Sequence, residues 1–423
     1  IVPLPLFATS EQLAHAIRSA SIDYVVSDRQ DRVCEALPRS TQLSLSPFTH
    51  GLLGIRFPAQ EPAPALPSAC WKVTFTSGTT ATPKGVCLSL STLERTADAL
   101  RRASAGGPDD RHLCVTPLAT LLENVGGVYA ALIAGASVIV PPLADVGLSG
   151  SSALDPARLV AALRSSRATT AILVPQMLAA IVEAIKGGAA SPNDLRFLAV
   201  GGAAVSARLL EESRALGLPV YEGYGLSECA SVVAVNRPGE TRAGSVGKPL
   251  PHVRVEIARD GEILVSGNAC LGYLGGAASH ETVATGDIGH LDEDGFLFIS
   301  GRKKNMFITS FGRNVAPEWI EQALTAQPAI AQAAVFGEAR PFAAAIIVPA
   351  PNASAASVAL AIEAANRHLP DYARIGAWIL AEEPFSLRNA LATANGRLRR
   401  DEIFRTHRAE LDALYHPPLA RTA

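Results

Sequence analysis

A loop rich in hydroxyl groups and glycine carries the strongest signal in this chain: Thr76-Ser77-Gly78-Thr79-Thr80-Ala81-Thr82-Pro83-Lys84-Gly85. Glycine lets the backbone come close to an anion and adopt positive φ angles. Successive backbone N–H groups can then point at phosphate oxygens, and the hydroxyl groups and the Lys84 ammonium supply further donors. The loop therefore has the composition of a binding site for nucleotide phosphates.

The spacing of this loop excludes the phosphate loop of kinases and GTPases. That motif has four residues between its first glycine and its Gly-Lys-Ser/Thr end, whereas Lys84 lies six residues after Gly78 and is followed by Gly85. A Ser/Thr/Gly-rich stretch, taken alone, is equally typical of a surface loop. The phosphate-binding interpretation therefore depends on other motifs in the chain.

Three further segments have the chemistry that a nucleotide requires: Tyr221-Glu222-Gly223-Tyr224-Gly225-Leu226-Ser227-Glu228, Thr285-Gly286-Asp287 and Gly301-Arg302-Lys303-Lys304-Asn305. Tyr224 lies between two glycines that can expose its ring to a purine. Glu228 offers the hard oxygen ligand that Mg²⁺ prefers, and Asp287 can accept from two ribose hydroxyl groups. Each segment has a structural alternative, namely a locally packed tyrosine, a turn aspartate and a solvated basic turn.

These four motifs, in this order, resemble those of the acyl-adenylate-forming (AMP-binding) superfamily, and their pattern is most similar to long-chain acyl-CoA synthetases. The resemblance extends from the first residues to about Ile403. It implies ATP and Mg²⁺ as cofactors and CoA as the acceptor thiol. The residues that it places around the nucleotide are Thr76, Ser77, Gly78, Thr79, Thr80, Gly202, Ala203, Tyr224, Asp287 and Arg302.

The resemblance also implies a catalytic set, which consists of Lys84, Ser227, Glu228 and Arg397, with Glu228 as the metal ligand. Arg397 stands in Thr393-Ala394-Asn395-Gly396-Arg397, where the family has a lysine that binds the carboxylate and the bridging oxygen. A guanidinium keeps the positive charge, but its planar fork is not equivalent to a compact ammonium. We therefore expect slower adenylation or altered chemistry.

Composition narrows the class of protein. The chain has 423 residues, a net charge of −2 and 48% hydrophobic residues, which is typical of a globular protein of more than one domain. Its scattered basic residues do not indicate a nucleic-acid partner, and it has no apolar run of about 18 residues that would predict a membrane span. The six cysteines show neither metal-ligand spacing nor a disulfide framework. We expect a cytoplasmic protein.

Helical and strand periods alternate from Glu11 onward, which favours a mainly parallel sheet with helices on both faces. The pattern predicts strands at 24–26, 136–140, 171–174 and 197–200 and a hairpin at 254–265 with its turn at Asp260-Gly261. The predicted class is α/β. It has a large N-terminal domain of parallel sheets with helices, an antiparallel region that closes this domain, and a small mobile C-terminal α+β domain.

The domain boundary is predicted next to the basic motif. The large AMP-binding domain covers 1–300 and the small domain covers 301–423, and the resemblance places the hinge at Lys304. The first residues, Ile1 to Leu6, are apolar and lack an initial methionine, so they have the pattern of an interior strand. We expect the large domain to be truncated at its N-terminus.

The predicted substrate is a small-molecule carboxylic acid with a hydrophobic group. Glu123 is the acidic residue of 116–126, and it fits the long-chain ligase pattern rather than that of an aspartate that holds an amino acid. The segments 121–134 and 174–177 are apolar, as in an acyl or aryl pocket or, equally, in a core helix. Thr120 stands where long-chain synthetases tend to have histidine, whereas 309–318 resembles those enzymes and favours a fatty acid.

The resemblance implies a reaction in two steps. Acyl-AMP and pyrophosphate form first, and the small domain then turns about Lys304, which removes Arg397 and brings the Gly312 loop to the site for attack by a thiol. An acyl carrier protein or another nucleophile is an alternative acceptor to CoA. A degenerate, non-catalytic nucleotide- or acyl-binding protein is a second alternative. Arg397 and the N-terminus favour this alternative. The retained residues Lys84, Glu228, Asp287 and Arg302 disfavour it.

Overall fold

The computed structural model describes residues 1–4, 8–27, 30–36, 44–47, 53–56, 66–76, 84–149, 153–276, 278, 280–311, 313–393 and 396–415. Several predicted site residues lie outside these ranges, namely Ser77, Gly78, Thr79, Thr80 and Gly312. Thr76 is described as the last residue of a strand.

The N-terminal part of the chain forms a small α/β unit with the elements α1 Ser10–Ser19, β1 Tyr24–Ser27, α2 Gln30–Glu35, β2 Ser44–Pro47 and β3 Leu53–Arg56. A capping box starts α1, because Thr9 and Gln12 each accept a backbone N–H of the other. The strand order is β1-β3-β2, and all of the pairing is antiparallel. The strand predicted at 24–26 therefore forms but does not belong to the parallel sheet.

The body of the large domain follows, with β4 Cys70–Thr76, β5 Lys84–Ser89, α3 Leu90–Ala103, β6 Arg111–Leu113, a π-helix Leu122–Tyr129, α4 Ala130–Ile133, β7 Ser137–Ile139, β8 Leu148–Ser149, β9 Ala153–Leu154, α5 Pro156–Ser165, β10 Thr170–Leu173, α6 Pro175–Lys186, β11 Phe197–Val200, α7 Ala207–Ala215 and β12 Val220–Tyr224. The strands β4 and β5, which flank the predicted phosphate loop, pair antiparallel. Residues 77–83 are too few for a parallel crossover, which needs about a dozen.

The closing part of the large domain comprises a 3₁₀ helix Ser227–Cys229, β13 Ala234–Val235, β14 Lys248–Pro249, β15 Arg254–Ile257, β16 Glu262–Ser266, β17 Gly272–Tyr273, β18 Thr282–Leu291 and β19 Leu297–Arg302. The strands β15-β16-β18-β19 form an antiparallel sheet in that order, and the hairpin predicted at 254–265 is confirmed. Its turn has Gly261 at φ +84°. The strand β17 pairs with β5.

The main sheet has the strand order β14-β13-β12-β11-β10-β6-β7. The strands from β12 to β7 run parallel, as the sequence predicts, and β13 and β14 are antiparallel. Leu113, Leu173 and Leu198 are buried in the core between this sheet and its helices. In open α/β sheets, ligands bind outside the carboxyl ends of the parallel strands. This edge is where β11 leads into Gly201 and β12 ends at Tyr224.

The small domain is an α+β unit that starts after a 3₁₀ turn Lys303–Asn305. Its elements are β20 Phe307–Ile308, β21 Asn314–Val315, α8 Pro317–Thr325, β22 Ile330–Phe336, β23 Ala343–Pro349, α9 Ala355–Arg367, a 3₁₀ turn Asp371–Ala373, β24 Ile375–Leu380, α10 Arg400–Thr406 and α11 Arg408–Leu414. The strand order is β22-β23-β24. The α/β class with two domains is thus confirmed, whereas rotation about Lys304 stays a prediction. No helix in the described ranges is long and apolar enough to cross a bilayer.

A lysine is buried in the core of the large domain. Lys72 in β4 is 1% exposed, and its Nζ donates to Asn124 Oδ1 (2.9 Å) and to Tyr129 Oη (2.7 Å) of the π-helix. Both acceptors are neutral, and burial lowers the pKa of Lys72 from 10.5 to about 8. The folded state therefore binds this proton more weakly than the unfolded chain does.

This lowered pKa predicts a stability gain at alkaline pH. Between pH 8 and 10.5 the unfolded chain holds the Lys72 proton and the folded state has lost it, so the unfolding free energy rises across that window. The contribution is about 3 kcal/mol at most. We expect Lys72→Met to lose it in urea titrations at a series of pH values, and Thr74→Val, on the same face of β4, to keep it. An equal pH dependence in Lys72→Met and the wild type would contradict the lowered pKa.

Candidate nucleotide site

The site starts where the parallel strands end. Gly201 follows β11, and a Cβ at this position would lie 3.0 Å from the Gly223 carbonyl oxygen in the neighbouring strand β12. Gly202 comes next at φ +84°, a conformation that favours glycine. Ala203, which the resemblance also places around the nucleotide, follows directly and is half-buried. The two glycines therefore allow the loop after β11 to run close to the end of β12.

An aspartate joins the two sheets at this edge. Asp287 in β18 is 4% exposed, and its Oδ2 accepts from Tyr224 Oη at 2.6 Å while its Oδ1 pairs with Arg302 Nε at 2.7 Å. Arg302 also donates to the Thr285 carbonyl at 3.3 Å. The structure thus brings together Tyr224, Asp287 and Arg302, three residues that the sequence assigned to the nucleotide.

Burial controls the protonation of this group of side chains. It raises the pKa of Asp287, although Arg302 and the Tyr224 hydroxyl both act in the opposite direction. Burial and the Asp287 charge also raise the pKa of Tyr224, so its hydroxyl stays a neutral donor. Asp287 and Arg302 form an ion pair, so removal of the Asp287 carboxylate would leave the Arg302 guanidinium without this counter-charge.

A second group of side chains forms around Glu228. Its Oε1 accepts from Tyr273 Oη at 2.8 Å, and the Lys84 ammonium lies 5.6 Å from the centroid of the Tyr273 ring. Tyr273 therefore stands between the predicted metal ligand and the lysine that ends the predicted phosphate loop. The sequence analysis missed Tyr273, which comes close because β17 pairs with β5, the strand that begins at Lys84.

The turn that carries Ser227 and Glu228 is held in an unusual backbone conformation. A Cβ at Gly225 would lie 1.6 Å from the Ser231 carbonyl oxygen, so this position requires glycine. Ala230 and Ser231 are buried and have φ of 56° and 102°. Residues in such regions persist only where their surroundings hold them, and they cluster at functional sites. The turn is thus well suited to fix the position of a carboxylate.

A loop of the small domain reaches this edge of the large domain. Arg397 donates through Nε and Nη2 to the Gly202 carbonyl, at 3.0 and 2.8 Å. Gly396 has φ +74°, and a Cβ there would lie 1.4 Å from Gln176 Nε2 in α6. The predicted catalytic arginine therefore lies beside a predicted nucleotide residue of the other domain.

The predicted hinge lies between residues that bond to different domains. Lys303 Nζ pairs with Asp260 and with Glu262 of the large domain, each at 2.7 Å. Asn305 donates to Glu318 at the start of α8 in the small domain. Lys304, between these two anchors, is largely exposed, and partial desolvation of its ammonium group together with the Arg302 charge lowers its pKa.

Glu123 is part of a closed hydrogen-bond network. Its Oε2 accepts from the Thr116 hydroxyl (2.7 Å), the Thr116 N–H (2.9 Å) and the Val115 N–H (3.2 Å), and its Oε1 lies 2.8 Å from His112 Nε2. The donor atoms of His112, Cys114 and Glu123 lie within 4.8 Å of one another. Both carboxylate oxygens are already engaged, so this group is explained by hydrogen bonding without a metal ion.

The start of the π-helix faces the glycine loop. A Cβ built on Gly202 would lie 4.0 Å from Leu122 Cδ2 and 3.9 Å from Val174 Cγ1. Leu122 is half-buried. Thr120, two residues before Leu122, donates its hydroxyl to the Pro117 carbonyl at 2.7 Å. The wall next to Gly202 is therefore apolar.

Comparison with known proteins agrees with these motifs. The profile described as AMP-binding enzyme matches residues 1–274, and that of the AMP-binding enzyme C-terminal domain matches 304–418. The chain belongs to the AMP-binding enzyme family. The second match begins at Lys304, the predicted hinge.

Curated relatives of this AMP-binding protein include ligases for different acids. The long-chain-fatty-acid–CoA ligase FadD15 of Mycobacterium bovis is 44% identical over 172 residues, which cover 39% of this chain and 29% of that protein. The indoleacetate–CoA ligase of Aromatoleum aromaticum is 33% identical over 288 residues, which cover 63% and 54%. The chain thus spans about half or less of the length of these relatives.

A solved structure extends the likeness over both domains. The amide bond synthetase McbA from Marinactinospora thermotolerans has a TM-score of 0.75 and 25% sequence identity to this chain. The match covers 95% of this AMP-binding protein and 83% of McbA. The two-domain α/β architecture is therefore shared along almost the whole chain.

The contacts of Asp287 predict a role in nucleotide affinity. We expect Asp287→Asn to weaken AMP binding about 10- to 100-fold, the effect of losing a hydrogen bond to a charged group. Isothermal titration calorimetry measures it. The control is Asp292→Asn, because Asp292 lies in the same sheet region but pairs with Arg242 at the surface. Unchanged AMP affinity in a folded Asp287→Asn variant would exclude this role.

Proposed function

We propose that this protein uses ATP to activate a hydrophobic carboxylic acid as acyl-AMP and then transfers the acyl group to the thiol of CoA. The observation that carries the proposal is the contact between Arg397 of the small domain and Gly202 of the large domain. It brings a permanent positive charge to the edge where Tyr224, Asp287 and Arg302 meet. A cation at that place suits a reaction between a carboxylate and a phosphate.

The first step is the attack of a carboxylate oxygen on the α-phosphorus of ATP, which breaks the bond to pyrophosphate. Ser227 donates to the α-phosphate, and the residues that hold the leaving group are Thr76, Ser77, Gly78, Thr79, Thr80 and Lys84. Glu228 would hold Mg²⁺, because a carboxylate has the donor chemistry that this ion prefers. Mg²⁺ supplies charge neutralisation of the phosphates. The protein contributes positioning and electrostatic stabilisation rather than a covalent intermediate.

The nucleoside is held at the strand ends. Tyr224 offers its ring to adenine, and Gly202 and Ala203 line the opposite side. Asp287 accepts the ribose hydroxyl groups, for which it exchanges its present contacts with Tyr224 and Arg302. The nucleotide would thus contact the same three side chains that bond to one another in the structure.

Arg397 takes the part that a lysine has in the resembled family. Its two N–H groups, which now donate to one carbonyl oxygen, form a planar fork that can reach a carboxylate and the bridging oxygen together. Since a guanidinium stays protonated in proteins, this charge does not depend on pH in the physiological range.

The apolar wall at Leu122 and Val174 supports a hydrophobic acid. Both oxygens of Glu123 are engaged, so this carboxylate does not offer a partner to the ammonium group of an amino acid. The resemblance of 309–318 to long-chain synthetases favours a fatty acid within this class.

The second step uses the hinge. Rotation about Lys304, between the anchored residues Lys303 and Asn305, removes Arg397 from Gly202 and opens the acyl carbonyl to a nucleophile. The nucleophile forms its bond to the carbonyl carbon and loses its proton, while the bond to the phosphate oxygen breaks and AMP leaves. The CoA ligases among the relatives favour CoA, whereas an acyl carrier protein has no such support. The likeness to an amide bond synthetase favours an amine as the second candidate acceptor. A non-catalytic function agrees less well with the structure, because such a protein would not require the contact between Arg397 and the Gly202 carbonyl.

The first test is pyrophosphate release with MgATP and a panel of fatty, aryl and amino acids. We expect release with hydrophobic acids, and a decrease of about 100-fold or more in Glu228→Gln, since one group that stabilises the transition state is lost. Glu256→Gln, at an exposed position in β15, is the matched control. No release with any acid by a folded protein that binds ATP would favour the non-catalytic alternative. Mass analysis with CoA or an amine then identifies the acceptor.

A second test addresses Arg397. We expect Arg397→Ala to lower pyrophosphate release about 100- to 1,000-fold because it removes the cation from the reacting oxygens. We expect Arg397→Lys to lie between Arg397→Ala and the wild type, because an ammonium keeps the charge but not the planar fork. Arg399→Ala is the control, because Arg399 is exposed two residues further along the same segment. An Arg397→Ala variant as active as the Arg399→Ala control would rule out this role.

A further inference from the structure

The π-helix that borders the candidate site forms side-chain hydrogen bonds on two of its sides. On one flank, Glu123 bonds to His112 and Thr116, and a Cβ at Gly127 would lie 2.3 Å from His112 Nε2. On the other flank, Lys72 bonds to Asn124 and Tyr129. The second network contains a buried ammonium group whose two hydrogen-bond partners are neutral, an arrangement that costs free energy.

The spacing of the two Lys72 acceptors matches a π-helix and not an α-helix. Asn124 and Tyr129 are five residues apart, and five residues of an α-helix turn through about 500°, which leaves them about 140° apart around the axis. In a π-helix, hydrogen bonds join residues five apart, so such residues lie on one side. Ala130 N–H donates to the Val125 carbonyl, five residues earlier, and also to the Gly127 carbonyl.

Lys72 Nζ therefore meets two side chains that lie together only in the π register. It lies 2.9 Å from Asn124 Oδ1, 2.7 Å from Tyr129 Oη and 4.5 Å from the centroid of the Tyr129 ring. Asn124 also donates to the carbonyls of Leu118 and Thr120, which ties the same contact to the segment before the helix.

A change of register would alter the wall of the site. Conversion from π to α hydrogen bonding shifts the pairing by one residue, which corresponds to a rotation of about 100°. Leu122 now lies next to Gly202, and Gly126 lies so close to the sheet that a Cβ there would be 3.1 Å from Ile172 Cδ1. A rotation of this size moves Leu122 away from Gly202 or brings a larger side chain into the place of Gly126.

We propose that Lys72 is a positioning residue for the acid-binding site, which holds residues 122–129 in the π register and thereby keeps Leu122 beside Gly202. The expected effect on turnover depends on the proposed function, the activation of an acid. Lys72 touches neither acid nor nucleotide and acts through Asn124 and Tyr129. Its removal should change recognition of the acid and leave recognition of ATP unchanged.

The experiment compares Lys72→Met, which removes the charge and the donors, with Tyr129→Phe, which removes one acceptor. The control is Thr74→Val. Thr74 lies on the same face of β4 and is buried, and its hydroxyl has no partner within the described part of the chain. A general disturbance of β4 would affect all three variants, whereas loss of the Lys72 contacts affects only the first two.

The first readout is hydrogen exchange of the amides of residues 122–130, which does not require activity. We expect exchange to be about tenfold faster in Lys72→Met, less accelerated in Tyr129→Phe and unchanged in Thr74→Val. Unchanged exchange in Lys72→Met would overturn the proposal. If Lys72→Met does not fold, unchanged exchange in Tyr129→Phe would overturn it.

The second readout is the kinetics of pyrophosphate release. We expect KM for the acid to rise about tenfold in Lys72→Met while KM for ATP stays within about twofold of the wild type. Equal effects on both substrates, or none, would overturn the role in acid recognition. A wild-type protein that is inactive with every acid would refute the proposed function and this role, whereas the exchange result separately decides whether Lys72 holds the π register.

Discussion

The pair of Asp287 and Arg302 is the interaction on which the arrangement of the site depends. Asp287 lies in β18 and Arg302 ends β19, so the pair closes the antiparallel sheet at its last residue before the small domain. Tyr224 extends the same contact to the main sheet. One buried carboxylate thus joins the parallel sheet, the closing sheet and the entry to the hinge. Because Asp287 is buried, loss of its carboxylate would disturb all three together.

Local patterns in the sequence account for most of the fold and for much of the site. The alternation of periods predicts β7, β10 and β11 of the main sheet, and Asp260-Gly261 predicts the hairpin turn. The four motifs predict residues that do meet, such as Tyr224 with Asp287. These successes share a cause, since each feature depends on a short stretch whose residue types restrict its conformation.

The features that sequence reasoning missed depend on contacts between distant positions. Tyr273 bonds to Glu228 across 45 positions, and Lys72 bonds to Tyr129 across 57. A tyrosine after a glycine and a lysine in an apolar strand give no local sign of such partners. The antiparallel pairing of β1 with β3 and of β4 with β5 likewise follows from connection length and tertiary packing, which alternation does not encode. Hydrophobic periodicity also does not distinguish a π-helix from an α-helix over eight residues. The sequence of 121–134 was therefore compatible both with a substrate pocket and with an ordinary core helix.

Gly396 lets the loop of the small domain lie directly against the large domain. A Cβ at this position would lie 1.4 Å from Nε2 at the end of the Gln176 side chain in α6. A methyl group at 396 would therefore displace that side chain or draw the loop back from α6, and the neighbouring Arg397 guanidinium would move with the loop. The missing side chain at 396 thus sets how closely the Arg397 cation can approach the Gly202 carbonyl.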